Sequence, residues 1–328
     1  MKAVVIHQFS EPEQLNIEEV PEPVGGDNDV LIGVTCAGIN YPDVLVISGK
    51  YQSLPERPFV PGKDAAGTVL AVGANVKGLQ VGERVLAQVE FGAFAERVVT
   101  STDNCHVLPD SISFAEAAAM GLVYQTAYFA LVVRGQFRSG ETVLVNGAAG
   151  GVGGAAIQLV KALGGIALAG VMSQEQAQSA LKSGADHIID LSAPNLRESL
   201  REQVYQCTAN HGADIVLDPL GDDIFDASIR AAAWSGRLVV IGFAAGRIPT
   251  VKVNYLLVKN ISVSGLQWSD YRKKQPGLVR EVQQRLYALH AQGMLQPPIT
   301  DVVPLDKVAK PLRVLSDGKA LGKYILQV

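Results

Sequence analysis

Two textures of apolar and polar positions divide the chain. From residue 1 to about 110, short β-branched runs are broken by Gly and Pro: KAVVIH, DVLIGVTCAGI, AAGTVLAVG, GERVLAQV and FAERVVT. Turn-bounded runs of this kind predict the strands of a compact β-rich domain. At Ser113 the texture changes. Ser113 and Glu116 stand at capping-box spacing, which predicts a helix running from there toward Val133. Beyond it the apolar runs TVLVN, GIALAGV, HIID, DIVLD, RLVVIG and ISVSG alternate with helical patterns such as EQAQSALKSG. Six short strands linked by helices predict a parallel, doubly wound α/β sheet with helices on both faces. After Trp268, GLVREVQQRLYALHAQG predicts one more helix, and the tail ALGKYILQV a strand that returns to the first domain.

The first strand–helix junction of the alternation, VLVNGAAGGVGGAAIQLVKALG, carries the most specific pattern. A helical face is predicted from Val152, Ala155, Ala156, Leu159, Val160 and Leu163. Ahead of it, Ala148, Gly150 and Gly153 fit the A/GxGxxG spacing of a dinucleotide loop. At Gly150 the backbone can approach a pyrophosphate, and at Gly153 the helix can pack closely on the sheet. The helix start, with Gly151 and Val152, offers free N–H groups and a positive dipole end to the anion. No GK[ST] follows, which excludes a nucleoside-triphosphate loop. At the end of the second strand, where an NAD site usually places a carboxylate, stand Met172 and Ser173. A 2′-phosphate is then not repelled, and Ser173 can donate to it, so NADPH is expected over NADH. Ser173 also suits the cap of the next helix.

Composition narrows the picture. The 328 residues carry 33 Gly, 18% charged residues and a net charge of −4. Length allows two domains, and the charge makes nucleic acid an unexpected partner. Cys36, Cys105 and Cys207 are far apart, forming neither a disulfide framework nor a CxxC pair, which suits a reducing cytoplasm. The stretch AAAMGLVYQTAYFALVV contains Gln125, Thr126 and two Tyr, and is expected to be a buried helix and not a membrane span. The sequence YLLVK, Tyr255 to Lys259, matches the YxxxK of short-chain dehydrogenases but falls after the fifth strand, outside that fold's arrangement.

AGINYPDVLVISGKY, VPGKDAAGTV, VGERV, YQTAY, GAAGGVGGAAIQLVKALG, GADHIID, LDPLGDDIFDAS, GRLVVIGFA, LLVKNISVSG and GKALGKYILQV occur in this order along nearly the whole chain. In them the sequence resembles the zinc-independent quinone oxidoreductase (zeta-crystallin-like) branch of the medium-chain dehydrogenase/reductase superfamily. The resemblance implies a Rossmann domain over 123–266 and a discontinuous GroES-like catalytic domain over 1–122 and 267–328. Where the zinc-dependent branch has its Cys, His and Cys ligands, this chain has Asn40, Lys63 and a position near Leu122. None can replace its counterpart, so no metal is expected.

By the same resemblance, Asn40 and Tyr51 lie beside the nicotinamide, where their donors could meet a developing oxyanion; Lys63 is a further electrostatic candidate. Thr126 and Tyr128 are expected at the nicotinamide half of the cofactor. Asp218, Gly242 and Phe243 are expected where later strands end against it. Relatives place a Lys and a Tyr near the 2′-phosphate, and this chain departs from them with Gln176 and Leu191; Lys319 in the tail is a further candidate. The implied activity is metal-independent hydride transfer from NADPH to a quinone or an activated α,β-unsaturated carbonyl. Enoyl-thioester and haloacrylate-type alkenes are alternatives, as is a non-catalytic NADPH- or RNA-binding role. The last strand, in KNISVSGLQW, is expected to pair with its copy across a two-fold axis, giving a homodimer.

Overall fold

The structure, a computed structural model, describes residues 1–328. Its strands in chain order are β1 (Lys2–Val5), β2 (Asn16–Glu19), β3 (Asp29–Ile39), β4 (Asp64–Val72), β5 (Arg84–Gln88), β6 (Arg97–Ser101), β7 (Cys105–Val107), β8 (Thr142–Asn146), β9 (Ile166–Val171), β10 (His187–Asp190), β11 (Ala213–Asp218), β12 (Ala232–Val240), β13 (Ser262–Gly265), β14 (Ile299–Pro304) and β15 (Lys323–Gln327). The helices are α1 (Tyr41–Ile47), α2 (Phe114–Tyr128), α3 (Gly151–Ala162), α4 (Gln174–Lys182), α5 (Leu196–Cys207), α6 (Asp222–Ala231), α7 (Val253–Lys259), α8 (Trp268–Lys274), α9 (Pro276–Ala291) and α10 (Ala309–Ser316).

Two compact units emerge. The first comprises Met1–Val123, Arg272–Tyr287 and Pro297–Val328; the second comprises Tyr124–Tyr271 and Ala288–Gln296. The change of unit thus falls after Tyr271, a little later than the sequence division after 266. Ala288–Gln296 joins the second unit because Gln158 of α3 anchors it: its Nε2 donates to the Gln296 carbonyl at 2.7 Å and its Oε1 accepts from the Gln296 N–H at 2.9 Å.

The first unit is built on a mainly antiparallel sheet in the order β14-β15-β3-β4-β5-β7, with β6 also paired to β3. The tail strand β15 returns as expected, antiparallel to β3 and parallel to β14. Val30, Ile32, Ile39, Phe94 and Leu312 are among its fully buried side chains. In the second unit all strands are parallel, in the order β10-β9-β8-β11-β12-β13. This is the doubly wound order, whose ligands bind beyond the carboxyl ends of the strands where the order reverses, between β8 and β11.

Ser113 caps α2 as its spacing predicts. Its Oγ accepts from the Glu116 N–H at 3.2 Å, and the Glu116 carboxylate accepts from the Ser113 N–H at 2.9 Å. The helix continues as a π-helical turn over Phe129–Arg134. This apolar segment is long enough to span a bilayer, but 72% of it is buried inside the protein. Helix α3 departs from the amphipathic expectation: every residue from Gly153 to Val160 is buried. Its small residues let it sink into its surroundings, and Gln158 stays satisfied by the Tyr124 hydroxyl at 2.7 Å.

Candidate active site

In the second unit, β8 runs into the glycine loop and the loop into α3. Gly147 has φ +62°, a conformation natural to glycine. Gly153 is needed for contact: a Cβ there would lie 2.3 Å from the Gly147 carbonyl oxygen and 2.7 Å from the Ala148 Cα. Gly150 differs. Its Cβ would meet only the Gly147 oxygen, at 3.5 Å, so the space before it is open. Gly150 is the N-cap of α3 and no side chain caps that end. The first N–H groups, at Gly151, Val152 and Gly153, therefore face a cradle that suits a pyrophosphate. A dinucleotide fits this loop, held by backbone and helix dipole.

Asn146, which ends β8, is a residue the sequence reading missed. It is fully buried and donates through Nδ2 to Asp218 Oδ1 and to Ser228 Oγ, both at 3.0 Å. Asp218 also accepts from the Leu220 and Gly221 N–H groups. Burial pushes its carboxyl up to about 6, against the pull of Asn146 and those N–H groups. Asp218 was expected at the cofactor, but its oxygens are enclosed and already bonded. It pins the ends of β8 and β11 to α6. The signal for Asn146 was a lone polar residue closing an apolar strand.

At the end of β9, Ser173 caps α4. Its Oγ accepts from the Gln176 N–H at 3.2 Å, while Gln176 Oε1 accepts from the Met172 N–H at 2.8 Å. Gln176 thus folds its side-chain oxygen back onto the backbone just before the cap. The sequence reading also missed Glu175. Its carboxylate, exposed in the first turn of α4, is held below the ordinary range by its own backbone N–H and by the Ser173 hydroxyl. Leu191 is buried. Thr126 is buried on α2 and Tyr128 is half-buried. Gly242 is half-buried and Phe243 exposed beyond β12. Lys319 belongs to the first unit, where it pairs with Asp317 at 3.3 Å on the surface.

The first unit holds the other candidates. At the start of α1, Asn40 is 2% exposed. Its Nδ2 donates to Asp64 Oδ2 at 2.9 Å and to the Gly38 carbonyl at 3.1 Å. Its Oδ1 accepts from Lys323 Nζ at 2.7 Å, and Lys323 also donates to the Ile39 carbonyl at 2.7 Å. Asp64 Oδ1 accepts from the Leu122 N–H at 3.0 Å. The carboxamide therefore bridges a buried cation and a buried anion. Both of its N–H groups are committed, which corrects the expectation that they serve a substrate oxyanion. Asn40 holds the cluster together instead.

Asp43 accepts from the Asn40 backbone N–H at 2.8 Å. Burial pushes its carboxyl from 3.8 up to about 7, against the pull of Lys63, the Asn40 N–H and Lys323. The folded value lies above the unfolded one. The associated stabilisation is complete below about pH 3.8 and lost as pH rises through about 7. Asp43→Asn should therefore flatten the fall in stability across this window, by an amount on the order of a few kcal/mol. Urea midpoints at both ends of the window measure it, and an unchanged slope would contradict the buried carboxyl.

Lys63 is also buried, at 3% exposure. Its Nζ donates to the Glu90 carbonyl at 3.1 Å and to Glu90 Oε2 at 3.2 Å. The ammonium lies 5.0 Å from the centre of the Tyr51 ring and 5.2 Å from that of Phe91. Tyr51 and Lys63 thus meet in one place. No group of three or more His, Cys, Asp or Glu side chains converges anywhere in the chain. A carboxamide bonded to Lys323, an ammonium and a leucine do not fit a zinc ion.

The alcohol dehydrogenase GroES-like domain model matches residues 26–110, and the zinc-binding dehydrogenase model matches residues 151–284. Over 99% of its length the chain is 34% identical to the quinone oxidoreductase-like protein 2 homolog of Nematostella vectensis, covering 88% of that protein. The chain belongs to the zinc-independent quinone oxidoreductase branch of the medium-chain dehydrogenase/reductase superfamily. Human quinone oxidoreductase, in the same branch, is 32% identical over 99% of this chain and 97% of its own. The Escherichia coli quinone oxidoreductase, solved in complex with NADPH, superposes with a TM-score of 0.91 at 28% identity, covering all of both chains. Within this branch the α/β architecture is a Rossmann domain joined to a GroES-like domain, here with a carboxamide–ammonium–carboxylate knot at positions 40, 323 and 64.

Proposed function

We propose that this oxidoreductase is an NADPH-dependent, metal-independent reductase that delivers hydride to a quinone or an activated α,β-unsaturated carbonyl. The observation that carries the reading is the open cradle before Gly150, at the end of β8 and the start of α3. When bound, NADPH supplies the hydride. Gly150, Gly151, Val152 and Gly153 hold the pyrophosphate, and Ser173 lies toward the adenosine end. Relatives solved with NADPH support this cofactor, among them the mycobacterial protein Rv1454c at 27% identity and a TM-score of 0.93 over the whole of both chains. The alternative acceptor, an enoyl thioester, is supported by the likeness to the enoyl reductase CurK, 26% identical with a TM-score of 0.87 over 99% of this chain and 98% of that one.

The test is a titration of the purified protein with NADPH and with NADH, followed by nicotinamide absorbance. The acceptors are 1,4-benzoquinone, 9,10-phenanthrenequinone, a small enone and a crotonyl thioester. Acceptor-dependent NADPH oxidation is expected, and binding of neither dinucleotide would overturn the reading. Glu175 puts a negative charge beside Ser173, so Glu175→Gln should tighten NADPH several-fold and leave NADH nearly unchanged. Equal effects on both would remove Glu175 from cofactor selection.

We read the protein as a cytoplasmic homodimer. β13 lies at the open edge of the parallel sheet, and Val253, Leu257 and Val258 on nearby α7 are each more than 70% exposed. An unpaired edge beside exposed apolar side chains is a natural site for a second copy. Light scattering at micromolar concentration should give twice the chain mass, and Leu257→Asp should give a monomer. A wild-type monomer would end this part of the reading.

A further inference from the structure

A hydride leaves its acceptor one proton short, and the proposed function gives no source for that proton. We propose that Lys63 is the proton donor and that Glu90 is the route by which solvent restores it. This inference rests on the reductase reading. The geometry around Lys63 is unusual for a structural lysine. Its side chain is 4% exposed, whereas that of Glu90 is 27% exposed, so the pair joins a buried ammonium to water. Two of the three ammonium N–H groups go to Glu90, one to its carbonyl and one to Oε2. The third is left on the side of the Tyr51 and Phe91 rings, which are both half-buried. A planar acceptor stacked on those rings would bring its oxygen to that N–H.

Glu90 is held firmly for the task. Arg272, 7% exposed, binds Glu90 Oε1 and the Gln88 carbonyl. Glu90 therefore receives a fixed positive charge on one oxygen and Lys63 on the other. The charged groups around Lys63 are Glu90 from the loop after β5, Asp43 from α1 and, through Glu90, Arg272. Phe59 packs edge-on against Phe91, with ring centres 5.8 Å apart, and fixes that wall.

The balance is simple. The acceptor's π bond takes up the hydride pair and leaves an oxyanion. An N–H bond of Lys63 breaks as the O–H bond forms, and the neutral amine is recharged from water through Glu90. Net, one NADPH and one proton are consumed for each acceptor reduced. The chemistry favours planar aromatic carbonyls, whose faces suit Tyr51 and Phe91, over small aliphatic enals.

The test uses Lys63→Met, Lys63→Arg and Glu90→Gln in the full-length protein. Arginine keeps the charge but does not release a proton near neutral pH. Both Lys63 variants should lose about 100-fold in kcat on 9,10-phenanthrenequinone, with NADPH binding and thermal unfolding near wild type. Glu90→Gln should lower kcat with little change in KM, and introduce a solvent isotope effect as reprotonation slows. A readout without turnover uses 4-nitrophenol in the presence of NADP⁺. Wild type should bind it as the yellow phenolate, and Lys63→Met should bind it at least tenfold more weakly. Full kcat in Lys63→Arg would reduce Lys63 to an electrostatic role and overturn the proposal. So would equal dye binding by a folded Lys63→Met. If wild type oxidises no NADPH with any of the four acceptors, the functional reading fails instead.

Discussion

Asp64→Ala should lower the unfolding free energy by about 3–5 kcal/mol, the range for breaking one side of a buried charge cluster. The substitution would leave Lys323 buried without the carboxylate that most supports its charge and strip acceptors from Asn40 Nδ2 and the Leu122 N–H. Burial already pulls the Lys323 amine below its ordinary value, with Asp64 and Asp43 opposing that pull. Removing Asp64 removes the larger of the two. Exchanging both partners, Asp64→Leu with Lys323→Met, should recover part of the loss, because an apolar pair leaves no orphaned charge. Urea unfolding at neutral pH measures all three. A loss below about 1 kcal/mol for Asp64→Ala would mean that the cluster is not maintained in solution.

Two glycines three positions apart should behave oppositely. Gly153→Ala forces a methyl against backbone atoms 2.3 and 2.7 Å away, so the loop must shift. A destabilisation of about 1–3 kcal/mol and loss of NADPH binding are expected together. Gly150→Ala meets only one ordinary contact, at 3.5 Å, with φ −77°. Its stability should stay within about 0.5 kcal/mol of wild type. The added methyl, however, stands where the pyrophosphate would approach, and NADPH should bind at least tenfold more weakly. Fluorescence titration beside thermal unfolding separates the two effects. Wild-type affinity in Gly150→Ala would move the dinucleotide away from this loop.

Much of the fold was legible because its signals are local. Turn-bounded β-branched runs, the Ser113–Glu116 box and the six apolar strands each announce one element without reference to any other. HIID and TVLVN become strands with those same limits. The π-helical turn at Phe129–Arg134 was not legible, since an added backbone residue per turn leaves no mark on composition. The extension of β12 back to Ala232 was missed for a similar reason. It passes through Ser235 at φ +65°, which breaks the strand texture.

The site divides in the same way. The glycine loop could be read because backbone chemistry there demands particular residue types. The role of Asn40 could not, because it depends on which atoms its amide meets. Sequence puts Asn40, Asp64 and Lys323 far apart, and only the pairing of β3 with β4 and β15 brings them together. Glu175 escaped notice because the expected carboxylate belongs at the strand end, two positions earlier. Its reach back to Ser173 is a matter of side-chain geometry.

The cluster around Asn40 also sets an order of assembly. Residues 124–271 form most of one compact unit and emerge from the ribosome as an unbroken stretch. β3 waits much longer, because one of its neighbours is β15, which lies far later in the chain. Until β15 arrives, Asn40 and Asp64 lack their cation. The unit built on the parallel sheet can thus mature first, while the unit that holds Asn40 is sealed only once β15 has been made.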